Sequence, residues 1–138
     1  MNTASEKKVL IVEDDEAVLK ALNAKLTQAG LAVLLARDGS SGLATALQEH
    51  PQLILLDILM PLMDGWEMLK RLREDENWGK QVSVVILTSL SADEDAQIRH
   101  IAELGPTLFM TKTDWKVEGV VDKVLEMLDV EKPPAPAV

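Results

Sequence analysis

Strand-sized apolar runs alternate with helix-spaced apolar stripes along most of this chain, and several of those runs end directly on an acid or a hydroxyl. Lys8 to Val12 is a short β-branched run; Val18, Leu19, Leu22 and Leu26 follow at helical spacing and stop at Gly30, a residue suited to a helix C-terminus. Leu31 to Ala36 is a second apolar run, and Ser40 to His50 reads as a helix with Leu43 and Leu47 inward, ended by Pro51. Leu53 to Asp57 is a buried strand, followed by a loop with Pro61 and Gly65 and a helix striped by Trp66, Leu69 and Leu72. Val82 to Thr88 is a fourth strand. Ile98, Ile101 and Ala102 mark a fourth helix, stopped by Gly105 and Pro106. Thr107 to Thr111 is a fifth strand, and Val117, Val120, Val121, Val124 and Leu128 stripe the last helix.

Five strand–helix pairs predict an α/β fold, (βα)5. The strands are continuously apolar rather than alternating, which indicates a parallel sheet covered on both faces. Right-handed crossovers then give a doubly wound, flavodoxin-like three-layer sandwich. The expected folded unit is 8–130, between a polar tail at 1–7 and a proline-rich tail at 131–138, EKPPAPAV, whose prolines forbid a helix.

Charge narrows the function. With 14 basic and 23 acidic residues the net charge is −9. Nucleic-acid binding needs clustered Lys and Arg, so a direct nucleic-acid role is not expected. Docking on an anionic membrane is disfavoured for the same reason. No apolar run approaches the ~20 residues of a spanning helix. No secretory signal is visible at Met1–Lys8, so a cytoplasmic location is the expectation. The lack of cysteine excludes disulfides and thiolate chemistry.

Doubly wound sheets bind ligands just beyond the carboxyl ends of their strands. Glu13, Asp14 and Asp15 stand after the first strand, Asp57 ends the third, Thr88 and Ser89 end the fourth, and Lys112 follows the fifth. A carboxylate at the end of a run such as LILLD is partly desolvated and needs a compensating cation. Mg²⁺ suits an all-oxygen site of this kind. A lysine and a threonine could then meet a phosphoryl group. Taken singly, each residue has a plainer reading. Asp15 and Glu16 read better as helix N-terminal acids, Asp57 could be a turn former, Thr88 a strand residue and Lys112 a solvated lysine. Their conjunction at four strand ends favours phosphoryl chemistry at an acidic side chain.

Asp57-Ile58-Leu59-Met60-Pro61-Leu62-Met63-Asp64-Gly65 resembles the phosphoacceptor motif of response regulator receiver domains. Val9 to Asp15, Ile86 to Ser89 and Phe109 to Lys112 resemble three further motifs of that family, in order. The resemblance covers roughly Lys8 to Asp129. It implies a two-component signalling module, chemotaxis-regulator-like and stand-alone, whose Asp57 accepts a phosphoryl group from the phosphohistidine of a sensor histidine kinase or phosphotransfer protein. It also implies that Asp14, Asp57 and the carbonyl of Leu59 hold Mg²⁺ (or Mn²⁺) directly, with Glu13 acting through water. Thr88, the backbone N–H of Ser89 and Lys112 would bind the phosphoryl group, and Phe109 holds the aromatic switch position. The surface of the fourth helix, fifth strand and fifth helix would then change shape, binding a downstream protein or preceding onward transfer in a phosphorelay. Such a protein is not a turnover enzyme; it catalyses only its own phosphoryl transfer and dephosphorylation.

Departures from the family pattern carry their own expectations. Lys112 is followed by Thr113 where the family has proline, commonly with a cis bond; a non-proline cis bond costs about 2.5–4 kcal/mol, so a trans bond is expected. Leu59 and Leu90 offer nothing to orient a hydrolytic water, so slow loss of phosphate is expected. Trp66, Trp115 and the methionines Met60, Met63 and Met68 read as packing, and His50 and His100 as solvated. Two other classes compete. A Mg²⁺-dependent aspartyl-phosphate phosphatase usually carries a second acid two residues past the nucleophile, where this chain has Leu59. A receiver that is never phosphorylated would not need the set Glu13, Asp14, Asp57, Thr88 and Lys112.

Overall fold

All five residues of Leu53–Asp57 are buried, because this strand lies at the centre of the sheet. In the computed structural model, residues 7–58, 60, 63–88, 103, 105, 108–111 and 116–131 are described. They form β1 (Lys8–Val12), α1 (Glu16–Gln28), β2 (Ala32–Ala36), α2 (Gly39–Glu49), β3 (Leu53–Asp57), α3 (Gly65–Arg73), β4 (Ser83–Thr88), β5 (Leu108–Thr111) and α4 (Val117–Met127). The strands run parallel in the order β2-β1-β3-β4-β5. This is the doubly wound sheet expected from the apolar runs. The helix expected around Ile98, Ile101 and Ala102 lies outside the described residues, as does the tail beyond Glu131.

Alternate residues of each central strand feed opposite faces. Leu10, Val12, Ile54, Leu56, Val84 and Ile86 join Met68, Leu69 and Leu72 of α3 in one core. Val9, Ile11, Leu53, Leu55, Val85 and Leu87 join Leu19, Leu22 and Leu26 of α1 and Val120 and Val124 of α4 in the other. Each fully buried Leu or Ile contributes roughly 1.5–3 kcal/mol relative to exposure. Met60 and Met68 are buried and Met63 and Trp66 are partly buried against the first core, which makes them packing residues. The edge strand is less covered: Ala32 and Leu35 of β2 are exposed.

Leu47 does not turn inward; it is 40% exposed, and Leu43 is only partly buried. The buried stripe of α2 is instead Gly39, Gly42 and Ala46, with Gly39 against Met63 and Gly42 against Val12 of β1. A Cβ at Gly42 would stand 2.9 Å from both Cγ atoms of Val12, so α2 sits too close to β1 for a larger residue. With that stripe buried, Leu47 is rotated towards solvent. The helix ends on His50, which adopts a left-handed conformation (φ 48°) ahead of Pro51. Exposed His50 stacks on Trp78 with ring centroids 4.5 Å apart. Gly30 (φ 94°) closes the end of α1 as its sequence signal indicated, and Leu31 N–H donates to Leu26 O over 3.2 Å.

Arg73, at the end of α3, is partly buried. It donates through Nη1 to the carbonyls of Gly79 (2.7 Å) and Val82 (2.9 Å) and through Nη2 to Gly105 (2.9 Å). Burial lowers its pKa from the ordinary value. The guanidinium thereby joins α3, the entry to β4 and the approach to β5.

Candidate phosphoacceptor site

Sheet register brings the acids together. Val12 pairs with Leu56 across β1 and β3, so Glu13 stands alongside Asp57 one residue further on. Glu13 N–H also donates to Ala36 O over 3.0 Å, which extends the β1–β2 ladder and fixes the backbone at the start of the acidic run. Glu13 and Asp57 are only 2% and 3% exposed, whereas Asp14 is exposed. Single carboxylate oxygens of Glu13, Asp14 and Asp57 all lie within 4.8 Å of one another.

The local sequence explains which acids enter this cluster. Asp15 is the N-cap of α1, and its Oδ1 accepts from Ala17 N–H (3.0 Å) and Val18 N–H (3.3 Å). Glu16 pairs with Lys20 at 3.2 Å and with Arg37 at 3.5 Å. Both therefore serve the helix end, as their sequence position suggested. The acids that cluster with Asp57 are therefore Glu13 and Asp14 rather than Asp14 and Asp15.

Two residues that sequence reasoning left without a role shape the loop after β3. Gly65 N–H donates to Ile58 O over 3.0 Å, and a Cβ on Gly65 would meet the Asp57 carbonyl and stand 2.8 Å from Ile58 Cα. Asp64 caps α3 by accepting from Glu67 N–H at 2.9 Å. The start of α3 is thus pressed against the strand end that carries Asp57. The Asp-Gly pair in the motif was the available signal; its meaning depends on a contact no spacing rule supplies. On the neighbouring loop, Asp38 caps α2, and hydrogen bonds from Ser41 hold its carboxyl below the usual range.

Thr88 and Phe109 occupy the expected strands. Asp57 pairs with Leu87, Thr88 with Thr111, and Ile86 with Phe109, so Thr88 ends β4 at the same sheet edge as Asp57. Their side chains, and Leu59, Ser89, Leu90, His100, Lys112, Thr113 and Trp115, lie outside the described residues. A cleft of about 430 Å³ at the opposite, amino edge is lined by His50, Gln52, Trp78 and Ser83 and holds none of the three clustered acids.

Three close carboxylates at one strand edge offer hard oxygen donors without nitrogen or sulfur. That donor set fits a hard divalent cation. The buried Asp57 offers an oxygen nucleophile beside it.

A sequence-family model for the response regulator receiver domain matches residues 9–124. Among curated proteins, the chain is 33% identical over 129 residues to the alkaline phosphatase synthesis transcriptional regulatory protein PhoP of Bacillus subtilis, covering 92% of this chain and 52% of PhoP. The chain spans about half or less of the length of the curated relatives it matches. Among solved structures, the chemotaxis response regulator CheY4 of Vibrio cholerae superposes with a TM-score of 0.76 at 29% identity, over 88% of this chain and 98% of CheY4. The Mn²⁺-bound form of response regulator Rcp1 superposes with a TM-score of 0.73 at 29% identity, over 95% of this chain and 99% of Rcp1. No helix among the described residues is long and apolar enough to cross a membrane.

Proposed function

The chain belongs to the response regulator receiver family, and from that premise we propose that Asp57 accepts a phosphoryl group from a phosphohistidine of a sensor histidine kinase or phosphotransfer protein. The observation that carries this reading is the clustering of Glu13, Asp14 and buried Asp57 within 4.8 Å at the carboxyl edge of the sheet.

An Asp57 carboxylate oxygen attacks phosphorus in line with the donor's P–N bond. The P–O bond forms as the P–N bond breaks, and the imidazole nitrogen leaves with the electron pair. Asp14, Asp57 and the Leu59 carbonyl would hold Mg²⁺ or Mn²⁺ directly, and Glu13 would hold it through water. When bound, the cation supplies charge that offsets the crowded carboxylates and the developing phosphoryl charge. The Mn²⁺ in the Rcp1 structure supports a divalent ion here. Thr88, Ser89 N–H and Lys112 then bind the phosphoryl oxygens of the product.

The new charge and acceptor oxygens shift a two-state equilibrium rather than drive a rigid relay. Phe109 on β5 serves as the aromatic switch, and β5 with α4 and the helix expected around Ile98 forms the face that responds. A downstream protein reads that face, or a phosphorelay partner removes the phosphoryl group. The protein catalyses its own phosphoryl transfer and dephosphorylation only, within residues 8–130, in the cytoplasm.

Incubation with a small phosphodonor and Mg²⁺, followed by intact mass measurement, tests the reading. The expected result is a gain of one phosphoryl group that is lost in Asp57→Asn. Phosphate release over many turnovers, or no adduct in the unaltered chain, overturns it.

A further inference from the structure

Arg37 directly follows β2 at the carboxyl edge of the sheet. Ala36, the residue before it, pairs with Val12 and accepts the hydrogen bond of Glu13 N–H. Arg37 therefore stands one strand spacing, about 5 Å, from the backbone that carries the clustered acids. Its side chain is 59% exposed and, among the described residues, is tied by a 3.5 Å ion pair to Glu16, whose side chain is 58% exposed. Exposed pairs of this kind are weak, so the guanidinium exchanges partners readily.

Around it the edge is strongly acidic, with Glu13, Asp14, Asp15, Glu16, Asp38 and Asp57. A phosphodonor that carries two negative charges must approach through that field. A guanidinium is well matched to phosphate oxygens, which it can meet with two parallel hydrogen bonds.

We infer that Arg37 is a specificity-determining residue that favours dianionic phosphodonors over less charged ones by drawing the donor's phosphoryl oxygens to the rim of the Asp57 site. The inference rests on the phosphoacceptor reading. Arg37 acts on the approach of the donor and takes no part in the bond changes: with an acyl phosphate, the bond to the carboxylate leaving group breaks as the bond to Asp57 forms, and the carboxylate leaves with the electron pair.

The test compares acetyl phosphate, largely dianionic at neutral pH, with the less charged phosphoramidate, following the phosphorylated mass at saturating Mg²⁺. In Arg37→Gln at low ionic strength the half-saturating acetyl phosphate concentration should rise about three- to fivefold, the effect of one charge about 10 Å from a dianion in water-like surroundings. The rise should be smaller for phosphoramidate, the maximal rate should stay unchanged, and added salt should erase the difference. Arg37→Lys should recover part of the effect. Lys20→Gln, which changes net charge equally one helical turn away on α1, should leave donor preference unaltered.

A second readout moves in the opposite direction. Losing a nearby positive charge should tighten Mg²⁺ binding, measured by its thermal stabilisation, by about two- to fourfold. An Arg37→Gln chain that forms the adduct with unchanged donor preference, or that weakens Mg²⁺ and both donors alike, overturns the inference. No adduct in the unaltered chain overturns the phosphoacceptor reading itself, and this inference with it. Should the variant not fold, the salt dependence of the two donors on the unaltered chain decides the matter: equal slopes overturn the inference.

Discussion

Gly65 N–H donates to the carbonyl of Ile58 at 3.0 Å, so the first residue of α3 lies directly against the end of the strand that carries Asp57. A methyl group at Gly65 would collide with the backbone of Asp57 and Ile58, which cannot swing aside as a flexible side-chain tip can. Gly65→Ala should cost roughly 1–3 kcal/mol, the usual cost of overpacking. It should also reduce the stabilisation given by Mg²⁺, because the Asp57 carboxylate moves with its strand end. Urea unfolding with and without Mg²⁺ checks both, and a variant as stable as the parent would show that the close approach is not needed.

The clustered carboxylates make a second prediction. Removing one of three negative charges should relieve repulsion in the metal-free protein, so Asp57→Asn should raise stability without Mg²⁺ by on the order of 1 kcal/mol. The same change should shrink the gain in melting temperature on adding Mg²⁺. An equal Mg²⁺ gain in parent and variant would sink the assignment of Asp57 to the metal site.

Gly119 lies inside α4, exposed, and among the described residues nothing stands within 4 Å of where its Cβ would be. Gly119→Ala should stabilise the protein by about 0.5–1 kcal/mol by narrowing the freedom of the unfolded chain. Thermal unfolding measures it, and a loss of stability would mean the position is constrained in a way the fold does not show.

Asp75 accepts from Gly79 N–H at 2.6 Å and Trp78 N–H at 3.0 Å, and these bonds hold its carboxyl below the usual range, with a smaller contribution from His50. A carboxyl depressed in the folded state contributes stability above its unfolded value, about 3.9, and loses it as pH falls through the lower folded value. The stability difference between parent and Asp75→Asn should therefore shrink as pH falls below about 4. Denaturation at several pH values measures this, and a difference that grows in acid would contradict it.

Leu59 and Leu90 supply no polar atom to orient a hydrolytic water. The phosphorylated chain should lose its phosphate slowly, and a polar side chain at position 59, as in Leu59→Asn, should shorten the lifetime. Mass measurement over time with Mg²⁺ present settles this: a half-life of only seconds in the unaltered chain rules it out.

Much of this molecule could be read from order along the chain. Continuous apolar runs such as Leu53–Leu56 specify buried parallel strands, because both faces of such a strand must be covered. The acids that follow those strands sit at one edge by connectivity alone, so the nearness of Glu13, Asp14 and Asp57, and Asp15 as a cap, were legible in the sequence. Which faces touch was not legible. Leu47 looked inward by its period, yet Gly39, Gly42 and Ala46 form the buried stripe of α2, because at Gly42 the helix approaches β1 more closely than a leucine allows. Gly65 against β3, Arg73 across three backbone carbonyls and Arg37 beside the acids depend on contacts between elements far apart in sequence. Periodicity records which side chains avoid water. Only packing in three dimensions decides how near two elements come and which charged groups then share a rim.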